Sequence, residues 1–498
     1  MNIRSLHYLR SVFALSLAAA LPVAAAPVTS AYGVGGVQSE PPAAEAPLPD
    51  VPSLPANTGE TAPLPEEMSE AEFVQMLRGN PQLVEQLMNG ALELKRWDWL
   101  EFLLPLYRSM QGHDAAFADL SEGLMWREQG RHKQAIAQLR AIIAAQPDAL
   151  YVRLHLAAML FEDKQYEAAA DQFRKVGADD TLPENARDMV AQYLEAIQKQ
   201  EKWRYGVGVN YERTDNVNNA SEDRYITING KCLGFGPGMC LSKNEDSLPK
   251  SASGIRYHAD VGRDWNISGN HYLSAEAALD GVNYRDAHDY NELGVRVAAG
   301  YAWRDVKRQF DVMPYVEYMR LGGEKYSRGA GVAASYGYWL SPKWQLIAAG
   351  DVGRTVYEQQ ESYDHNRVSL SATAAYLPTA KTMLFGGIDG AYSKARAEVQ
   401  SYRGYGVRVG AAQEFPWGIS ARVQVRYGEK SYREAIPMYG YNRRDKEYFG
   451  TVSLWHRAVS AWGITPKLNL QYFKTDSNMA SFYSRDAKRV FVSLEKTF

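Results

Sequence analysis

From Trp203 onward stretches in which the side chains change character at every second position recur through the last 296 of the chain's 498 residues. Trp203, Tyr205, Val207, Val209 and Tyr211 alternate with Arg204, Gly206, Gly208, Asn210 and Glu212. Leu293, Val295, Val297, Ala299, Tyr301 and Trp303 alternate with Gly, Arg and Ala, and Ile419, Ala421, Val423, Val425 and Tyr427 with Ser, Arg, Gln and Gly. A period of two is that of β-strands with two unlike faces. In a soluble sandwich the apolar face would turn inward. In a membrane barrel it meets lipid, with aromatic belts at the two interfaces. Trp203 and Tyr211 stand at strand ends, as do Tyr301 and Trp303, and this favours the barrel.

Fourteen candidate strands are centred near residues 207, 257, 276, 297, 314, 334, 350, 371, 387, 410, 423, 452, 469 and 493. An even number lets an antiparallel sheet close with both ends on one side. Short turns are expected at Asp305–Lys307, Ser341–Pro342, Pro378–Ala380 and Pro416–Trp417. Longer polar loops are expected at Arg213–Ser251, Arg285–Tyr290, Leu321–Arg328, Glu358–Asn366, Lys394–Gly404, Ser431–Asp445 and Thr475–Arg485. Short turns inside and long loops outside is the polarity of outer-membrane barrels. Composition agrees: 26 of the 32 Tyr and 30 of the 40 Gly lie from Trp203 onward, as belts and small inward residues require. Cys232 and Cys240, the only cysteines, share the longest loop, and in an oxidising compartment they read as a disulfide. The terminal Phe498 after an alternating strand is the usual address for barrel assembly.

The first 202 residues are of other kinds. Residues 1–25 read as a secretory signal: Arg4, His7 and Arg10, then the apolar run Ser11–Leu21, then small residues before Pro27. Residues 26–69 hold nine of the 22 prolines and are expected to be a disordered spacer. Residues 70–202 have helical periodicity. Gly123, Trp126, Gly130, Ala135, Leu139 and Pro147 fall at the spacing of a tetratricopeptide repeat, and a shift of 34 residues brings Ala157, Leu160, Lys164, Ala169 and Phe173 into register. Clear repeats are therefore 116–149 and 150–183, with a degenerate pair before them (Phe73–Leu94, Trp97–Met110) and a closing helix over Pro183–Lys199. The fold class expected is a multidomain α + β chain: an N-terminal α-helical tetratricopeptide array, then a 14-stranded antiparallel transmembrane β-barrel over 203–498.

Candidate groove residues for a partner on the helical array are Phe117, Leu120, Leu124, Arg127, Tyr151, Leu154, Phe161 and Glu162. Each is equally readable as packing. In the barrel, Arg204, Arg256, Arg296, Arg367, Arg408, Arg422 and Arg426 fall on the inward parity, with Glu212, Asp260 and Glu414 as offsetting acids. They make either a self-paired hydrated lumen or a charged conduit. With 55 Lys plus Arg against 58 Asp plus Glu, a dedicated nucleic-acid binder is excluded. No nucleophile elbow, phosphate loop, zinc helix or calcium loop is present, so no cofactor, metal or catalytic residue is expected. His288 with Asp289, and His365 with Asp364, are read as ordinary loop residues.

Directly after the first strand comes Thr214-Asp215-Asn216-Val217-Asn218-Asn219-Ala220-Ser221. This motif, the terminal strand ending in Phe498, and the order signal, Pro-rich spacer, short tetratricopeptide domain, fourteen-strand barrel together resemble the surface lipoprotein assembly modulator (Slam) family over about residues 71–498. The resemblance implies a Gram-negative outer-membrane translocator with the helical domain in the periplasm and long loops at the cell surface. Its partners would be a client surface lipoprotein or secreted haem-binding protein, with a periplasmic chaperone, outer-membrane lipid and the barrel assembly machinery around it. Two other readings keep the architecture: an exopolysaccharide export porin, which would carry more repeats, and a simple diffusion porin, which would have no use for the helical arm.

Overall fold

The computed structural model describes residues 70–234, 240–462 and 464–497; the signal, the spacer and Phe498 lie outside them. Eight helices come first: α1 (Glu70–Arg78), α2 (Pro81–Glu93), α3 (Trp97–Arg108), α4 (Ala115–Glu128), α5 (His132–Ala145), α6 (Leu150–Glu162), α7 (Tyr166–Gly177) and α8 (Glu184–Glu201). Sequential helices pack as hairpins, with the tightest pairs α4–α5 and α6–α7. The small residues explain the approach. A Cβ on Gly123 would sit 2.5 Å from Leu139 Cδ1, and Ala135, Ala157 and Ala169 are fully buried. Leu139, Leu160 and Phe173 fill the space between, and Phe173 stacks on Tyr193 of α8 at 4.7 Å between ring centroids. Trp126, expected in that space, is half-buried at its edge under the Arg131 guanidinium. The first degenerate helix is split in two. Asn80 caps α2 by accepting from the Leu83 N–H at 3.0 Å, and Pro81 at its first turn cannot continue α1.

The barrel strands are β1 (Arg204–Thr214), β2 (Ala252–Ser268), β3 (His271–Tyr284), β4 (Glu292–Arg304), β5 (Arg308–Leu321), β6 (Glu324–Ser341) and β7 (Trp344–Tyr357). The second half is β8 (His365–Thr379), β9 (Thr382–Ala395), β10 (Tyr402–Glu414), β11 (Ile419–Ile436), β12 (Tyr441–His456), β13 (Lys467–Ser477) and β14 (Arg485–Thr497). Each pairs antiparallel with its sequence neighbours, and β1 closes on β14 from Gly206 opposite Thr497 to Thr214 opposite Arg489. The closed sheet leaves no open edge, so its backbone groups find partners on both neighbours, which hydrocarbon demands. The outward parity carries exposed aliphatics such as Val209, Val316, Leu370 and Ile388, with exposed Trp203, Trp344 and Phe415 at the end where β1 begins and Tyr211 and Tyr405 toward the other. No helix of the described residues is long and apolar enough to cross a membrane; the strands do the crossing.

Two connections differ from the sequence expectation. Leu321–Arg328 is no loop: β5 and β6 meet in a two-residue turn of Gly322 (φ 59°) and Gly323 (φ 85°), a left-handed pair suited to a tight hairpin. Ser431–Asp445 is mostly strand, because β11 and β12 run on to the turn at 437–440. Conversely, the β12–β13 connection at 457–466 is long although it lies at the short-turn end.

Candidate functional site

Three places concentrate polar chemistry: the rim where the helical array meets the barrel, the barrel interior, and the far end over the β1–β14 closure. At the near rim the α6–α7 turn carries Asp163, Lys164 (φ 62°) and Gln165. The Asn270 amide donates to the Asp163 carbonyl and carboxylate, and the Tyr272 hydroxyl to the Lys164 carbonyl. Asn266 Oδ1 accepts from the Glu167 N–H at 2.9 Å, and Tyr166 meets Tyr272 edge-on at 6.4 Å. Tyr272 and Ala302 point inward, yet both are buried in the same apolar cluster as the helical core. The arm is therefore seated on the mouth rather than hanging from a tether.

The groove candidates divide. Phe117, Leu120, Leu124 and Leu154 are buried in the helical core, so they are packing and no open groove runs over them. The apolar period of a helix marks the face that is covered; it does not tell a neighbouring helix from a client. Phe161 packs on Tyr166 and Tyr193, each at 5.3 Å. Tyr151 is half-buried, and Arg127 and Glu162 form an ion pair with each other. Beneath this pair lies His155, whose Nδ1 finds no partner; burial holds its imidazole down to about 3, so it is neutral at pH 7.

Inside the barrel the seven arginines all share the face opposite the exposed aliphatics. Arg204 and Arg304 both hold Asp264, at 2.9 and 2.6 Å, and Arg256 holds Glu212 at 2.8 Å. Arg296 faces Glu317 at 3.8 Å with its guanidinium over the Tyr315 ring, and Arg367 meets Asp351 at 3.2 Å. Arg408 and Arg426 share Asp389 at 3.2 and 2.6 Å, while Arg422 lies over the Phe385 ring. Six of the seven thus lie within ion-pair distance of an inward carboxylate, and Arg422 lies against an aromatic ring. Sequence reasoning missed His258, which sits between Asp280 (2.7 Å) and Asp260 (3.0 Å). Its signal was there, an inward His with acids two residues away and on the next strand. Among the described residues no group of three or more His, Cys, Asp or Glu is placed to hold a metal. Asp364 Oδ1 accepts from the Tyr357 N–H at 2.8 Å and His365 Nδ1 contacts the Tyr363 carbonyl, so this pair is committed to its turn.

At the far end the Asp215-Asn216-Val217-Asn218 motif ties the closure. Asp215 Oδ1 accepts from the Lys488 N–H at 2.7 Å, extending the β1–β14 pairing. Asn216 donates to the carbonyls of Ala220 (2.9 Å) and Asp486 (2.7 Å) and accepts from the Ala220 N–H (2.9 Å). Asn218 donates to the Leu248 carbonyl at 2.8 Å and accepts from the Lys250 N–H at 3.0 Å, while buried Val217 packs by Ala252, Val282 and Tyr284. The loop beyond carries the short hairpin Thr227–Ile228/Lys231–Cys232 and the Cys232–Cys240 disulfide. Its Ile226 packs with Tyr439, Met479, Phe482 and Tyr483, gathering the loop over the far rim. Asn216→Ala is expected to cost about 1–3 kcal/mol, since it orphans the buried Ala220 N–H and two carbonyls. The temperature of the heat-dependent mobility shift of the folded barrel measures this; an unchanged temperature would contradict the staple.

A closed barrel with a lipid-facing apolar band and a helical-repeat arm seated on one mouth defines an integral outer-membrane protein of the arm-and-barrel kind. The chain belongs to the surface lipoprotein assembly modifier (Slam) family, whose model matches residues 203–498, while that of the family's N-terminal tetratricopeptide repeats matches 72–173. A surface lipoprotein assembly modifier of Moraxella catarrhalis is 30% identical over 428 residues, covering 85% of this chain and 82% of the relative. One from Pasteurella multocida is 29% identical over 447 residues, covering 85% of each. The hemophilin secretion modulator of Acinetobacter baumannii is 25% identical over 429 residues, covering 84% of this chain and 86% of the relative.

Proposed function

We propose that this chain is a translocator delivering particular surface lipoproteins, or a related secreted haem-binding protein, from the periplasm to the cell surface. The helical array faces the periplasm and recognises the client or its chaperone; the barrel supplies the passage. The observation that supports the reading is the seating of the α6–α7 turn on inward-facing Tyr272 at one mouth of the barrel, where an arm that recognises a client could hand it over. The names of the relatives supply the class of cargo. No step of bond chemistry is invoked. With no nucleotide motif in the sequence, the driving force is client folding outside, where the folded state cannot return.

The test co-expresses the chain with candidate lipoproteins of its own organism and adds protease to intact cells. At least one of them should be cleaved only when the chain is present. Equal cleavage without the chain, or none with it although all the proteins are made, sinks the proposal.

A further inference from the structure

The α4–α5 turn and the β4–β5 turn face each other across a cleft of about 510 Å³, within the range of ligand sites. From the helical side come Arg131 and Lys133, and from the barrel Lys307 and Arg308. The two acids present are already used. Asp305 holds Arg308 at 2.7 Å and accepts the Lys307 and Arg308 N–H groups, and Asp163 takes the Gln165 amide at 2.8 Å. Among the described residues no carboxylate lies within ion-pair distance of Arg131, Lys133 or Lys307. Helix α5 also starts here, with Arg131 as its N-cap and no side chain capping it, so its positive end adds to the field. Burial keeps His132 on the neutral side, leaving a neutral imidazole among the cations.

The position of the cleft says what kind of anion it meets. Trp303, Tyr336 and Tyr338 are on the outward parity at the near end, beside exposed Tyr301 and Leu340. Lys133 Nζ lies 5.7 Å and Arg308 Cζ 5.2 Å from the Trp303 ring centroid, so cations from both domains bracket one belt aromatic. Belt aromatics sit at headgroup depth. We infer that this cleft between arm and barrel binds the headgroup of an anionic phospholipid of the near leaflet. Arg131 donates to Gln134 and Gln129, which leaves its charge, like those of Lys133 and Lys307, without a carboxylate; a phosphate there answers these cations, and its acyl chains run along the aromatic and aliphatic face of β4–β6. The lipid thereby clamps the arm to the rim at a second point, away from Tyr272.

The test uses the full chain in detergent, with phosphatidylglycerol or phosphatidylethanolamine titrated in and bound lipid counted by native mass spectrometry. The wild type should prefer phosphatidylglycerol. The variant Arg131→Gln/Lys133→Gln/Lys307→Gln should lose about tenfold or more of that affinity, as charges near a lipid phosphate each contribute. Lys175→Gln/Lys199→Gln, elsewhere on the array, should bind as the wild type does. If the triple variant folds poorly, Lys133→Gln alone should weaken binding by roughly threefold. Equal binding of both lipids, an unaffected charge variant, or displacement by millimolar inorganic phosphate would each overturn the lipid assignment.

Discussion

Replacing Glu212 by Leu should destabilise the barrel by about 3–5 kcal/mol, because it leaves a buried guanidinium without its counter-charge. The Glu212 side chain is 1% exposed and that of Arg256 16%. Both carboxylate oxygens are occupied: Arg256 donates at 2.8 and 3.3 Å, and the Tyr284 hydroxyl donates at 2.7 Å. Three strands, β1, β2 and β3, are tied through this one carboxylate. Glu212 also stands opposite Phe491 of β14, one turn of the pleat from Arg489, so the loss falls beside the closure. The double variant Glu212→Leu/Arg256→Met should regain most of the loss, since an apolar pair replacing a buried ion pair is close to neutral. What stays lost is the acceptor of Tyr284, about 1–3 kcal/mol. The temperature of the heat-dependent mobility shift reads all three proteins. If Glu212→Leu matches the wild type, the carboxylate is hydrated in the lumen and the pair contributes nothing.

That pair also marks how far the sequence could be read. Alternation placed Glu212 and Arg256 on the inward face, because lipid on one side and water on the other leave opposite compositions on the two parities. It did not join them, since pairing depends on register between β1 and β2, and these strands are separated by the long loop at 215–251. The same holds for the far-end cluster, where Ile226 meets Phe482, and for the near rim, where Asn270 and Tyr272 meet a turn more than a hundred residues away. The Gly322–Gly323 turn was missed for a different reason: a run of Gly and charged residues is equally the composition of a loop and of a tight hairpin between protruding strands. In the helical array the small-residue repeat was legible because close approach of helices admits only the smallest residues, Gly at 123 and Ala at 135, 157 and 169. The groove was not, for Phe117 and Leu154 obey the same period whether a helix or a client covers them.

Deleting residues 70–202 while keeping the preceding chain joined to Trp203 should abolish client display and leave the barrel folded in the membrane. The barrel closes through its own hydrogen bonds, from β1 paired with β2 round to β14, and none of these passes through the array. Removal costs the sheet its rim contacts, chiefly those at Asn266, Asn270 and Tyr272 and the Lys133–Trp303 approach, and uncovers Tyr272 and Ala302 at the mouth. Heat-dependent mobility and membrane fractionation report insertion, and protease accessibility of the client on intact cells reports display. Undiminished display with an inserted barrel would mean that recognition lies in the barrel itself. A second variant, Asn270→Ala/Tyr272→Phe, keeps the array but removes two donors to the Asp163–Lys164 turn. Display should fall partway with that variant if the arm must sit on the mouth to hand over its cargo. It should stay at the wild-type level if the arm only gathers clients near the barrel, because tethering alone already raises their local concentration. The two variants together separate having an arm from having it docked, and only the docked arm requires the contacts that join α6–α7 to the barrel entrance.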